Sequence, residues 1–337
     1  MRAVFIEKSG APDVLRVREV PAPVPAAGQV AIAVRAAGIN FADILARQGI
    51  YPPAPPTPCV VGYEVAGVVS SVGDGVDAAW LGRKVIAMPH FGGYAEVAVV
   101  DLTHVWDLPA GLSFEEAAAI PENYVTAWAL LIGLGGLKPG ETVLVHNAGG
   151  GVGLAAIDIA RHLGARVIGT ASPRKHAFLR ERGCAECVDY TRGDWPEAVR
   201  KFAGGGVDLA IDPIGGAHWK KSYGVLAKGG RLGMFGISGA AGRGLAAKLG
   251  LVKLVLSMPL FHPLQLMSGN RGAFGVQMHE MYHETVKFRA WMDAVLAGVS
   301  AGWVRPHIDK VFSFDEAGAA HAHIEGRKNT GKVILIP

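Results

Sequence analysis

Cysteine is scarce in this chain, with three thiols, Cys59, Cys184 and Cys187, among 337 residues. Three cannot build the paired framework of a small secreted domain, and a reducing compartment suits them. Long apolar runs are missing as well. The nearest, Leu245 to Met267, is interrupted by Lys248, Lys253, Pro259 and Pro263, which points to a surface or interface segment rather than a bilayer span. MRAVFIEKSG at the start carries charges too early for a secretory signal, so a cytoplasmic location is expected. Neither sign of charge is concentrated: 33 Lys plus Arg stand against 29 Asp plus Glu, and the cations are scattered. That balance suits an anionic small molecule better than nucleic acid. Internal repeats and low-complexity linkers are also absent.

Half of the residues are hydrophobic, which supplies ample surface for burial, and 337 residues exceed one comfortable core. Two domains sharing a cleft are the natural expectation. Up to about residue 120 the chain reads as short strands broken by Gly and Pro: MRAVFIEK, GQVAIAVRAAGI, GYEVAGVVSSVG, GRKVIAM and GYAEVAVV. This pattern predicts a mostly antiparallel, barrel-like domain. From about Thr142 strands alternate with helices: TVLVHNA, VGLAAIDIARHLG, ARVIGTAS, PRKHAFLRERG, ECVDY, DWPEAVRKFAG and VDLAIDPIG. Strict alternation predicts a doubly wound parallel sheet, so the fold class is α/β. The tail from His307 returns to strand, helix and strand, an order that could rejoin the first domain.

The turn NAGGGVG, Asn147 to Gly153, follows an apolar strand and opens a helix, the placement a dinucleotide fold requires. Glycines let the backbone approach a pyrophosphate, and the helix start favours its charge. Gly150, Gly151 and Val152 are the expected contacts, although the spacing is not a strict G-x-G-x-x-G. The next strand ends on Ala171, where NAD-specific folds place an acid for the ribose hydroxyls. Ser172, Arg174 and Lys175 follow, offering a hydroxyl and two cations to a 2′-phosphate. NADPH is therefore the expected cofactor, with NADH possible. The bland alternative is that Ser172-Pro173 caps a helix and the cations are solvated.

Residues AAGINFADILARQGIYP (36–52), GYEVAGVV (62–69), FGGYAEV (91–97), ENYVTAWALL (122–131), the glycine turn and the closing KNTGKVILIP carry a specific likeness. Across them the whole chain resembles the zinc-independent quinone oxidoreductase, or zeta-crystallin-like, branch of the medium-chain dehydrogenase/reductase family. ENYVTAW, FHPLQLMSGNR and KNTGKV are most similar to synaptic-vesicle amine-transport homologues within it. The resemblance implies a groES-like barrel domain over 1–122 and 290–337, a Rossmann domain over 123–289, nicotinamide in the cleft and a homodimer. It places Asn40 where zinc-dependent relatives have a catalytic cysteine and Tyr63 where they have a histidine, followed by Glu64. An amide and a phenol do not replace thiolate and imidazole, so no metal is expected to serve the reaction. By position in the family pattern Thr126, Tyr190, Phe235, Ile237 and Asn329 are further cofactor contacts, and Asn40 partners the nicotinamide or a substrate carbonyl. Tyr51, in RQGIYPP, stands where related enoyl reductases keep a tyrosine beside the substrate, with Tyr63 as a second substrate contact. Asp158 departs from the family pattern, which usually has glutamine there.

Other strings imitate different chemistry. His279-Glu280-Met281-Tyr282-His283 matches the H-E-x-x-H of zinc peptidases, but a polar helix face is the simpler reading. Cys184-Ala185-Glu186-Cys187 imitates a redox pair and is expected to be buried structure. His321 and His323 are two apart on one helix and are expected to face solvent, while Tyr94 and Trp128 are expected in the core.

The expected activity is hydride transfer from a nicotinamide to an activated C=C or quinone, with Tyr51 or an ordered water supplying the proton. A reductase of α,β-unsaturated acyl thioesters, enoyl-CoA in particular, is the enzymatic alternative. The alternative of another class is a non-catalytic NADPH-binding or membrane-associated interaction protein.

Overall fold

A computed structural model describes residues 1–240 and 244–337, and for 244–249 the backbone only. Lys248, one of the interruptions invoked above, thus lies outside the described side chains. The chain divides into two compact units, one of Met1–Asn123, His279–Ser300 and Pro306–Pro337, the other of Tyr124–Met278 with Ala301–Arg305.

The first unit begins with β1 (Arg2–Ile6), β2 (Leu15–Glu19), β3 (Gln29–Gly38), α1 (Phe41–Arg47), β4 (Val65–Val72), β5 (Lys84–Ala87), β6 (Val97–Asp101), β7 (Val105–Asp107) and α2 (Phe114–Ala118). Strands β1 and β2 form an antiparallel hairpin, and the others form a sheet around β3. One edge of β3 pairs β4; the other pairs β6 along Gln29–Ala33 and the last strand of the chain at Ala37 and Gly38. Val30, Ile32 and Val34 point from β3 into a core with Val69, Val85, Val100, Tyr94 and Phe314. Alternate apolar positions are what a half-buried antiparallel strand needs.

Helix α3 (Pro121–Trp128) precedes the alternating region: β8 (Thr142–Val145), α4 (Gly151–Leu163), β9 (Arg166–Ala171), α5 (His176–Arg182), β10 (Glu186–Asp189), α6 (Trp195–Ala203), β11 (Val207–Asp212), α7 (Ala217–Gly224) and β12 (Leu226–Met234). Then come α8 (Gly244–Leu256), α9 (Pro263–Gly269), β13 (Gly272–Gly275) and α10 (Met278–Met281). The six strands are all parallel in the order β10-β9-β8-β11-β12-β13. Counted from β8 this is 3-2-1-4-5-6, two mononucleotide-binding halves meeting between β8 and β11. Ligands of such sheets bind outside the carboxyl ends at that switch point, where β8 delivers the glycine turn.

The chain closes with α11 (Thr285–Ser300), β14 (Ile308–Ser313), α12 (Ala317–Glu325) and β15 (Lys332–Ile336). β15 pairs β14 in parallel and β3 antiparallel, so the tail does rejoin the first sheet. Among the described residues no helix is long and apolar enough to cross a membrane.

Two expectations need correction. His321 does not face solvent; it is fully buried on α12, with its ring edge-on to Tyr94. Ala317 and Ala320 bury the same helix, and their small side chains let it pack closely enough to cover the imidazole. The HEMYH string is not one helix face either, because α10 ends at Met281 and His283 falls in the following turn. His279 instead stacks on His90, with Nδ1 2.9 Å from His90 Nε2.

Candidate functional site

In the first unit the site residues gather around the start of α1. Asn40 is its N-cap, and Asp43, one turn on, accepts a bond from the Asn40 backbone N–H at 2.7 Å. That closure holds the Asn40 side chain on the buried side. Its Nδ2 donates to Glu64 Oε1 at 2.9 Å, and its Oδ1 accepts from Lys332 Nζ at 2.6 Å. Lys332 also forms an ion pair with Glu64, whose other oxygen accepts from the Glu122 backbone N–H at 2.8 Å. Lys332 and Glu64 are almost wholly buried, so each charge depends on the other, and removal of one leaves a costly uncompensated ion. The pair fixes which way the Asn40 amide faces.

Tyr63 is buried beside this cluster, its ring edge-on to Tyr51 at 6.3 Å between centroids and tilted against Phe91 at 5.2 Å. Burial, then the Asp43 carboxylate and Tyr51, push the Tyr63 phenol far above its ordinary value. Tyr51 is half-buried on the Pro-rich loop and packs against the core of the unit. Asp43 is fully buried, and desolvation raises its carboxyl to about 7 despite bonds from Asn40, Tyr94 and Gly62. Asn329 also belongs to this unit, its side chain donating to the Gly331 carbonyl.

In the second unit Gly150 is the N-cap of α4, and Gly151 and Val152 form its first turn, both half-buried. Gly153 sits so close to the turn that a Cβ would lie 2.4 Å from the Asn147 carbonyl oxygen. The α4 axis, 13 residues long, aims its free N–H groups at this turn. β9 ends at Ala171, and Ser172 starts a short 3₁₀ turn without making a side-chain cap bond. The capping role is therefore not what its hydroxyl does. Arg174 is exposed, whereas Lys175 is buried and lies along the glycine turn, with Nζ 3.4 Å from where a Gly149 Cβ would be. Such a cradle of glycine backbone, helix start and ammonium fits a phosphate-bearing dinucleotide. Thr126 is buried on α3, Tyr190 follows β10, and Phe235 follows β12 with its N–H on the Asp212 carbonyl. Ile237 lies beside Gly215, its Cα 3.3 Å from where a Cβ on that glycine would sit.

Asp158 shows why glutamine is replaced. Its carboxylate accepts from Tyr124 at 2.7 Å, from Arg182 at 2.5 Å and 3.1 Å, and from Arg305 at 2.9 Å. The buried Arg182 guanidinium needs an anion there, and an amide would leave its charge uncompensated, while the partly exposed Arg305 adds a second bond to the same carboxylate.

Sequence reasoning missed Lys332 and Asp43. The signal for Lys332 was a lysine beginning the otherwise apolar strand KVILI, a place where a cation is tolerated only with a partner.

Fold and site define a two-domain reductase scaffold, a groES-like β unit and a Rossmann unit with a glycine-rich phosphate turn. The family model for the alcohol dehydrogenase GroES-like domain matches residues 26–128, and that for zinc-binding dehydrogenase matches 182–335. The chain is 35% identical over 340 residues to the human synaptic vesicle membrane protein VAT-1 homolog, covering 100% of this chain and 86% of that one. It is 33% identical over 341 residues to human quinone oxidoreductase, covering 100% and 98%. Escherichia coli quinone oxidoreductase, solved in complex with NADPH, superposes with a TM-score of 0.88 at 28% identity over the full length of both chains. The chain belongs to the medium-chain dehydrogenase/reductase family, in its zinc-independent quinone oxidoreductase branch. A catalytic zinc, suggested by one family description, does not fit the residues around Asn40. Asn40 is held by Lys332, Glu64 is ion-paired, and the Tyr63 phenol stays protonated, so the set lacks the thiolate and imidazole donors of such a site.

Proposed function

We propose that the protein is an NADPH-dependent reductase of conjugated carbonyl compounds, quinones and enones, working without a catalytic metal. The observation that carries this reading is Lys175, whose buried ammonium lies along the glycine turn while β9 ends on Ala171 rather than an acid. A 2′-phosphate supplies the anion that this cation and Arg174 match. When bound, the reduced nicotinamide supplies a hydride. Gly151 and Val152 bind the pyrophosphate through backbone N–H groups, Gly150, whose own N–H is given to the Asn147 carbonyl, lets the backbone approach it, and Ser172, Tyr190, Thr126, Phe235, Ile237 and Asn329 complete the cofactor contacts.

Asn40 has a second Nδ2 hydrogen beyond the one given to Glu64, and we assign it to the nicotinamide carboxamide or to the acceptor carbonyl. Lys332 keeps that donor aimed by occupying the other end of the amide. The Tyr51 phenol donates a proton to the acceptor, and water restores it; Tyr63 packs the acceptor edge-on. Hydride plus proton turns a quinone into a hydroquinone or an enone into a saturated ketone. With no nucleophile in this scheme, positioning and charge stabilisation supply the acceleration. Enoyl-CoA esters present the same electron-poor carbon, and the same residues serve them. The test is NADPH oxidation measured against a panel of quinones, enones and enoyl-CoA esters, repeated with NADH. Turnover with at least one acceptor and a preference for NADPH support the reading, and inertness toward the whole panel opposes it.

A second reading rests on a different observation. Between Asp212 and Glu280 the sequence contains no acidic residue, yet it holds eight Lys and Arg. Within that stretch Val252, Val255, Leu256, Leu260, Leu264 and Met267 are exposed. A stretch whose charges are all positive, with Lys253 among the exposed apolar side chains, suits an anionic lipid surface. Co-sedimentation with phosphatidylserine vesicles but not with neutral ones supports a membrane-associated role; equal recovery from both opposes it.

A further inference from the structure

At the carboxyl ends of β8 and β11, on either side of the switch point, a buried cluster remains that the proposed reaction does not use. His146 follows β8, Asp212 ends β11, and α7 contributes His218 and Ser222, four residues apart on one helix face. One ligand atom from each of His146, Asp212 and His218 lies within 4.8 Å of the others. The Ser222 hydroxyl sits among them. Its Oγ is 2.6 Å from Asp212 Oδ2, 3.1 Å from His146 Nε2 and 3.4 Å from His218 Nδ1, and His218 Nδ1 is 2.6 Å from Asp212 Oδ2.

These contacts have hydrogen-bond lengths, and the His146 nitrogen lies within 4.8 Å of the Asp212 and His218 ligand atoms, close enough for one ion to reach all of them. An ion bound at ~2.0–2.1 Å by nitrogen and oxygen sets its ligands ~3.3 Å apart, so Asp212 Oδ2, now 2.6 Å from both His218 Nδ1 and Ser222 Oγ, draws back by roughly 0.7 Å to admit one. The surroundings are those of a supported site. His146 Nδ1 meets Thr170 Oγ1 at 3.0 Å, which turns Nε2 toward the cage. Asp212 Oδ1 accepts from the Ile214 backbone N–H at 2.7 Å, and the Trp195 ring stacks on His218 at 4.9 Å. Outer bonds of this kind fix the tautomer and orientation of metal ligands.

We propose that His146, Asp212 and His218, with Ser222 or a water as fourth donor, bind one borderline divalent cation of the Zn²⁺ and Co²⁺ class. Two imidazoles and one carboxylate are the donor set such ions favour over Mg²⁺ or Ca²⁺. His218 must carry its proton on Nε2 when Nδ1 binds the ion. The ion clamps α7 to the two strand ends beside the glycine turn. This goes beyond the reductase reading and does not depend on it.

The test is titration of the chelator-treated full chain with Co²⁺, followed by the visible band of four-coordinate cobalt. One Co²⁺ per chain, displaced by Zn²⁺, is expected. His218→Gln, which removes the only partly exposed ligand, should weaken binding by at least about tenfold, since even loss of an outer partner costs 10- to 100-fold. Ser222→Cys places a thiolate in the cage and should add a sulfur-to-cobalt charge-transfer band, a gain that only a correctly folded site can give. Failure of the wild type to retain Co²⁺ overturns the proposal. So does binding that is unchanged in His218→Gln without a new band in Ser222→Cys, or binding lost in His279→Ala, which would place the ion at the His90 and His279 pair.

Discussion

Tyr51 stands half-buried, edge-on to a tyrosine that cannot ionise, and only its hydroxyl separates a proton donor from a packing residue. Tyr51→Phe keeps the ring and removes the donor. If the phenol is the acid, turnover with the best acceptor should fall about 10²- to 10⁴-fold while NADPH binding is unchanged. A rate within about twofold of wild type, ~0.4 kcal/mol, would assign the proton to water instead. Buried ionisable groups make a second residue-level expectation, in the pH dependence of stability. His146 and His321 are held near 3 by burial, below the ordinary 6.5. Their unfolded forms take up protons that the folded forms refuse, so stability present above 6.5 is lost as pH falls toward 3. Each contributes a slope of about 1.4 kcal/mol per pH unit in that window. Asp43 acts with the opposite sign, since its folded value near 7 lies above the ordinary 3.8 and its stabilisation is lost as pH rises between them. Urea midpoints measured from pH 4 to 6 should therefore depend less steeply on pH in His321→Gln than in wild type. An unchanged slope would show that His321 is already protonated in the fold.

At the scale of elements, periodicity made the alternating half of the chain legible. Every strand from β8 to β11 and every helix between them answers to a run of the expected length, because apolar strands and amphipathic helices differ in both period and length. β12 escaped, since LAKGGRLGM mixes glycines and cations and is stabilised by pairing on both sides rather than by its own pattern. β7 is three residues long, too short for alternation to register. The HEMYH string misleads for a related reason: helix spacing in sequence says nothing about a turn at Tyr282, which stacks its ring on His104 at 3.8 Å. His321 was misplaced because two histidines on an alanine-rich helix carry no sign of which face is covered. The glycine turn was readable in full, and Lys175 gives it a measurable consequence. Lys175→Ala should weaken NADPH by about 1.5–3 kcal/mol, the range for a charge-assisted hydrogen bond, and leave NADH nearly unaffected. Equal losses for both cofactors, measured by fluorescence titration, would mean that the ammonium supports the turn and does not read the 2′-phosphate.

For the whole molecule, the sheet order and the phosphate turn are those of a dinucleotide-binding fold, and the first unit gathers Asn40, Tyr63, Glu64 and Lys332 near the start of α1. What the sequence could not display is how these residues meet: Lys332 is 292 positions from Asn40, and only β15 pairing with β3 brings them together. In the proposed reaction a hydride passes directly from NADPH to an electron-poor carbon without a catalytic metal. Its most direct test uses NADPH deuterated at the transferring position of C4, a reactive enone and excess chelator, with the product analysed by mass spectrometry. One deuterium per product molecule, on the carbon β to the carbonyl, with turnover undiminished by the chelator, is the predicted result. Product without deuterium, or NADPH left unoxidised by chelator-treated protein that still binds it, would contradict it.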